Sequence, residues 1–226
     1  MNPISDENMQ QYLQATEYFD FNDPHIISLS EQIKVGSAKA KAIDIYYLVR
    51  DKYLYNPYCF VDGKNSFKAS YCCKRNEGYC IPKAALMIAL CRNEGIPARL
   101  GLADVMNHLA TPKLLDMLGT NIFSMHGYVE VFIEGKWVKA TPAFNRSLCE
   151  KMHSLPLEFN GEDDSIFQPF TEKGHKHMEY ITDWGTFAEL PVEFIMDNFN
   201  KHYPHLMGKV SNTELSADIA PAMETE

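Results

Sequence analysis

The stretch GYCIPKAALMIALCRNEGIPARL, residues 78–100, opens with a cysteine and continues as a run that is apolar on nearly every side. A run of that length, without strict alternation, predicts a helix buried in the middle of a domain. Gly95 is placed to stop it, with Pro97 following. ARLGLADV then reads as a strand. Cys80 therefore stands at a helix start, where backbone N–H groups have no partner inside the helix.

Downstream, MHGYVEVFIEGKWVKATPAF alternates on two arms around Glu134 and Gly135, the pattern of a β-hairpin. A two-residue loop sets Ile133 opposite Lys136, Phe132 opposite Trp137, Glu130 opposite Lys139 and Tyr128 opposite Thr141. The opposed charges and the aromatic pair both favour this register. His126, Tyr128, Glu130 and Phe132 then share one face, with Val129, Val131 and Ile133 on the other. Thr141 falls diagonally beside His126, roughly 7–8 Å away between backbones. A one-residue slip would move it to the opposite face.

A free thiol has a pKa of about 8.5, and an effective nucleophile wants it lowered by about two units, or ~2.7 kcal/mol. A helix N-terminus supplies ~0.3–1 kcal/mol, up to ~2 when partly buried. A neighbouring cation is needed, and a strand-borne histidine can serve, acting afterwards as base and acid. Of the eight histidines, His126 is best placed. The amide of Cys80 is expected to stabilise an oxyanion; Asn76 and Tyr79 are nearby candidates for a second donor.

Taken together, GYCIPKAALMIALCRNEGIPARL and HGYVEVFIEGKWVKATPAF resemble the core of the transglutaminase-like superfamily, and AKAIDIYYLVRDKYLYNP resembles the helix before it. The likeness covers residues 38 to 145. It implies an α+β fold, a papain-like central helix packed on an antiparallel sheet, with Cys80 as nucleophile and His126 as base. Many members carry an aspartate where this chain has Thr141 before Pro142. Threonine offers only a neutral acceptor, so the ion pair is expected to be weaker. Neutral third members do work, and Asn145 and Asp183 are possible substitutes.

The rest of the chain bounds the reading. Its 226 residues, 46% hydrophobic, suffice for one full core. The expected division is an arm over 1–35 that packs on the domain, a transglutaminase-like domain over 36–208 and a disordered acidic tail over 209–226. SAKAKAIDIYYLVRDKY predicts a helix burying Ala38, Ala42, Ile45, Leu48 and Val49. Residues 57–79 read as a surface loop, and PVEFIMDNFNKHY as a last helix. The net charge of -9, without a basic block, argues against nucleic acid or a membrane surface as partner. No apolar run reaches the ~20 residues of a membrane span, and a cytoplasmic protein is expected.

Other features have plainer readings. The six cysteines read as free thiols, with Cys91 in the core and Cys72 and Cys73 in the loop. His175 with His177, and His202 with His205, read as surface histidines rather than metal ligands. Trp137 and Arg99 are expected to be structural. With no calcium-loop motif, no metal or cofactor is expected. The expected activity is cysteine-dependent acyl transfer on a peptide or small amide or acyl substrate, hydrolysis being preferred to cross-linking. The competing reading, from Thr141, is a decayed site serving as a protein- or peptide-binding module. A third, thiol redox work by Cys72 and Cys73, predicts a reversible disulfide.

Overall fold

The structure is a computed structural model that describes residues 9–60, 62–108, 110, 112–166, 178–204 and 207. The expected tail, and His175, His177 and His205, lie outside the described residues. Helix α1 (Pro24–Ser30) is followed by α2 (Ala38–Lys52), the short strand β1 (Leu54–Tyr55), a 3-10 turn (Gly63–Phe67), α3 (Ala69–Arg75), the short strand β2 (Glu77–Gly78) and α4 (Cys80–Asn93). Strand β3 (Ala98–Asn107), α5 (Pro112–Leu118), β4 (Ile122–Ile133), β5 (Lys136–Ala140), α6 (Arg146–Lys151), β6 (Met178–Phe187) and α7 (Val192–His202) complete it. Four antiparallel strands form one sheet in the order β5-β4-β3-β6. The α+β class expected from sequence is the class observed.

Helix α4 is the axis of the molecule. Its residues from Cys80 to Arg92 are all buried, between the sheet on one side and α2 and α3 on the other. Each fully buried Leu, Ile or Met there contributes ~1.5–3 kcal/mol. Gly95, with φ 73°, turns the chain off the helix, and Ile96 N–H donates to Cys91 O at 2.8 Å, as the glycine stop predicts. Two cations are buried with the helix. Arg92 donates to the carbonyls of Gln14, Ala98 and Ala188. Lys83 Nζ donates to those of Arg50, Tyr53 and Ala143 at 2.9, 2.5 and 2.7 Å.

The hairpin has the expected register: Ile133 pairs with Lys136, Phe132 with Trp137 and Glu130 with Lys139. Glu134 and Gly135 both take positive φ (50° and 85°), as a two-residue hairpin turn requires. Arg99 is structural, clamped to Glu130 at 2.6 Å and stacked 4.1 Å over the ring of Trp137.

Other expectations need revision. Residues 57–79 are not one loop: a 3-10 turn, α3 and β2 occupy them, and β2 pairs in parallel with β1. In α2 the buried face comprises Ala42, Ile45, Tyr46, Val49 and Arg50, whereas Ala38 is exposed. Strand β6, unforeseen, pairs with β3 and completes the sheet. Toward the N-terminus, Phe19 is fully buried, and Tyr12 O accepts from Ala98 N–H at 3.1 Å.

Candidate active site

The β1–β2 pairing fixes the chain just before residue 80, so the helix start is delivered from a small sheet rather than a free loop. Tyr79, at the cap, is extended and makes no side-chain cap. Pro82 has no N–H, and the amide of Lys83 donates to Tyr79 O at 3.2 Å. The amides of Cys80 and Ile81 are thus left outside the helical ladder.

Strand β4 approaches this point from the other side. A Cβ placed on Gly127 would lie 3.1 Å from Ile81 Cα, so any larger residue would have to push the backbone of the helix start back by a few tenths of an ångström. Phe132 N–H donates to Pro97 O, on the β3 side, so the amides of Val131, Val129 and Gly127 face β5. The β4–β5 ladder ends at the pair Val129–Ala140. Gly127 N–H lies past that end and beside the sulfur of Cys80, whose pKa it pulls down together with the amides of Ile81 and Cys80.

Burial outweighs these three amides. Cys80 is 9% exposed and its thiol is pushed up to about 11. His126 is 2% exposed, and burial alone pulls its imidazole down to about 4. The lowered thiol pKa expected from sequence is therefore not found. The helix start acts as predicted, but no cation among the described residues sits close enough to offset the lost hydration.

Cys80 and His126 line the same cavity, whose empty volume is about 580 Å³ including its open mouth. Neither ring nitrogen of His126 has a hydrogen-bond partner among the described residues, so the two side chains share a space without a direct hydrogen bond. The residue before His126, Met125, has φ 59° and sits at an irregularity in the β3–β4 pairing. Asp104 pins that irregularity, its carboxylate accepting from Met125 N–H at 3.0 Å and from the Ser124 hydroxyl at 2.9 Å. An acid flanked by Leu102, Ala103 and Val105 in ARLGLADV was the sequence signal for this role.

Thr141 is brought near His126, since both line a second, smaller cavity. No hydrogen bond joins them, however: the Thr141 hydroxyl is engaged elsewhere and the His126 nitrogens have no partner among the described residues. Beyond Ala140 the chain leaves β4 and pairs with residues 164–166 instead. Thr141 N–H donates to Ser165 O, and the Thr141 hydroxyl donates to Ile166 O at 2.8 Å. Neither suggested substitute reaches the imidazole. Asn145 accepts from Tyr55 N–H and donates to the Ser147 hydroxyl, and the exposed Asp183 accepts from Gly185 N–H. Ala103 pairs with both His126 and Asp183, so those two stand two strands apart, ~10 Å.

The remaining cavity walls were beyond sequence reasoning. Tyr55 and Phe60 come from the β1 side, Leu114, Met117 and Leu118 from α5, and Phe199 and Tyr203 from α7 and its end. Tyr203 fixes one rim, its hydroxyl donating to Ile122 O at 3.0 Å. Cys91 is core, as expected, and all six cysteines are free thiols. Among the described residues no cluster of His, Cys, Asp and Glu is arranged to hold a metal ion, and no helix is long and apolar enough to cross a membrane.

The profile of the transglutaminase-like superfamily matches residues 27–142, just over half of the chain. The chain belongs to the transglutaminase-like superfamily. The matched span contains the helix start with Cys80, the strand with His126, and Thr141. No curated protein matches the chain. Among solved structures it is similar to a candidate cysteine protease from Cytophaga hutchinsonii, with 17% identity and a TM-score of 0.51 over 82% of this chain. That likeness is one of fold, and this transglutaminase-like chain spans 48% of the length of the Cytophaga protein.

Proposed function

We propose that this member of the superfamily is a cysteine-dependent acyl-transfer enzyme, with Cys80 as nucleophile and His126 as its base and acid. The observation that carries the reading is the cavity shared by Cys80 and His126, in which the imidazole nitrogens have no hydrogen-bond partner among the described residues. A thiol at about 11 and an imidazole at about 4 are both neutral at pH 7. The proton therefore moves during attack rather than before it. As sulfur bonds to the acyl carbon, His126 takes the thiol proton and then gives it to the leaving nitrogen. The C–N bond breaks and a thioester remains. Water, deprotonated by His126, attacks the thioester, releasing the acid and restoring the thiol. An amine could take the place of water, but among the described residues no lining feature marks an amine site, so hydrolysis is preferred. The amides of Cys80, Ile81 and Gly127 supply the donors that a developing negative charge needs.

A second reading, a protein- or peptide-binding module on a decayed site, draws on the resting neutrality of the pair and on the engagement of Thr141 with Ile166. Reaction with p-nitrophenyl acetate separates the two. The enzyme reading expects a burst of one p-nitrophenolate per chain and an acetyl group mapped to Cys80, both lost in Cys80→Ala and slowed at least tenfold in His126→Ala. Acetylation spread over the thiols, unaffected by His126→Ala, would support the binding module instead.

A further inference from the structure

We propose that the cavity beside Cys80 selects an uncharged aliphatic or aromatic acyl chain as the part of the substrate that becomes bonded to sulfur. This rests on the acyl-transfer reading and specifies what that site accepts. Charged residues make up 23% of the chain, yet among the described residues no Asp, Glu, Lys or Arg lines the cavity. Its walls are Phe60, Leu114, Met117, Leu118, Phe123 and Phe199. Phe60 meets Phe199 edge-on at 6.0 Å, and Phe199 lies 5.6 Å from Tyr203, forming one aromatic side. A carboxylate or ammonium entering this space would lose its hydration and find no counter-charge. Each methylene buried there favours binding about fourfold.

The polar groups of the lining fix the orientation. Tyr79, the residue before Cys80, lines the cavity, and its hydroxyl is buried with no hydrogen-bond partner among the described residues. The same holds for the ring of His126. A buried polar atom without a partner is a standing cost, which a ligand that reaches it removes. The carbonyl end of the substrate therefore sits at Cys80 and His126, and the hydrocarbon end runs toward α5 and α7.

The test is a series of p-nitrophenyl esters, each acylating Cys80 by forming the C–S bond and releasing p-nitrophenolate. From acetate to butyrate, two methylenes, the second-order acylation rate is expected to rise about 16-fold. The mono-p-nitrophenyl ester of succinate, carrying a carboxylate, is expected to react on the order of 100-fold more slowly than butyrate. Met117→Lys, on the half-buried face of α5, should raise the succinyl-to-butyryl ratio at least tenfold by supplying a counter-charge. Equal rates across the series, with acylation still at Cys80, would overturn the inference and leave the acyl-transfer reading standing. Calorimetric binding to Cys80→Ala covers the converse case. If no ester acylates Cys80 but hexanamide binds more tightly than succinamate, the cavity preference stands and the acyl-transfer reading falls.

Discussion

Replacing His126 by phenylalanine should make the protein more stable while abolishing acylation. The imidazole is 2% exposed and both ring nitrogens lack partners among the described residues. An unpartnered buried polar atom costs ~1–3 kcal/mol, and an apolar ring of similar shape removes that cost. The gain expected at pH 7 is ~1–3 kcal/mol, seen as a rise of roughly 2–4 °C in Tm per kcal/mol for a chain of this size. The pH dependence is sharper. In the folded protein His126 titrates at about 4, against ~6.5 in an unfolded chain. Between those values the unfolded chain binds the proton and the folded one does not. The stability associated with this group is therefore complete above ~6.5 and is lost as pH falls toward 4. His126→Phe lacks this loss, so its advantage over wild type should widen by ~2 kcal/mol between pH 7 and pH 5. Urea denaturation of both proteins at pH 5, 6 and 7 measures this directly, other titrating groups cancelling in the difference. A variant less stable than wild type at pH 7, with a gap independent of pH, would show that the imidazole is hydrogen-bonded in the folded protein and would refute the reasoning.

Gly127→Ala should force the helix start and β4 apart, because the atom its Cβ meets is backbone, Ile81 Cα. A loss of ~1–3 kcal/mol in urea denaturation and at least a tenfold fall in Cys80 acylation are expected, and wild-type values for both would deny the close approach. Thr141→Val removes one hydrogen bond, to Ile166 O, and should cost ~1 kcal/mol with less than about threefold change in acylation. A 100-fold fall in rate would restore Thr141 as the partner of the imidazole. Lys83→Met leaves three buried carbonyls without their donor and should lower stability by ~3 kcal/mol or more. An unchanged urea midpoint would mean that the relief of a buried ammonium, whose pKa burial pulls down to about 7, cancels the loss.

What could be read from the sequence was local. The hairpin register followed from a two-residue loop and two cross-strand pairs, and α4 from a long apolar run closed by Gly95. Strand β6 escaped because its residues alternate between exposed and half-buried, and its place beside β3 is set by tertiary pairing rather than by propensity. Helix α3, ASYCCKR, lacks a strong periodic signal and is sustained by packing against α4. The thiol illustrates the same limit. Its position at a helix start was legible, but the burial that raises its pKa comes from residues as distant as Phe199 and Tyr203. Thr141 was placed by extending the register one pair beyond the end of the ladder, where residues 164–166 capture it instead.

The most direct test of the site is an NMR titration of the His126 ring from pH 4 to 9, in the free protein and with Cys80 acetylated. The cavity geometry predicts a neutral imidazole throughout pH 6–9, with ring signals that move when the sulfur is acetylated. An imidazolium persisting at pH 8 would mean a preformed ion pair with the thiolate, and signals indifferent to acetylation would place the two side chains in separate compartments. Either result contradicts the account.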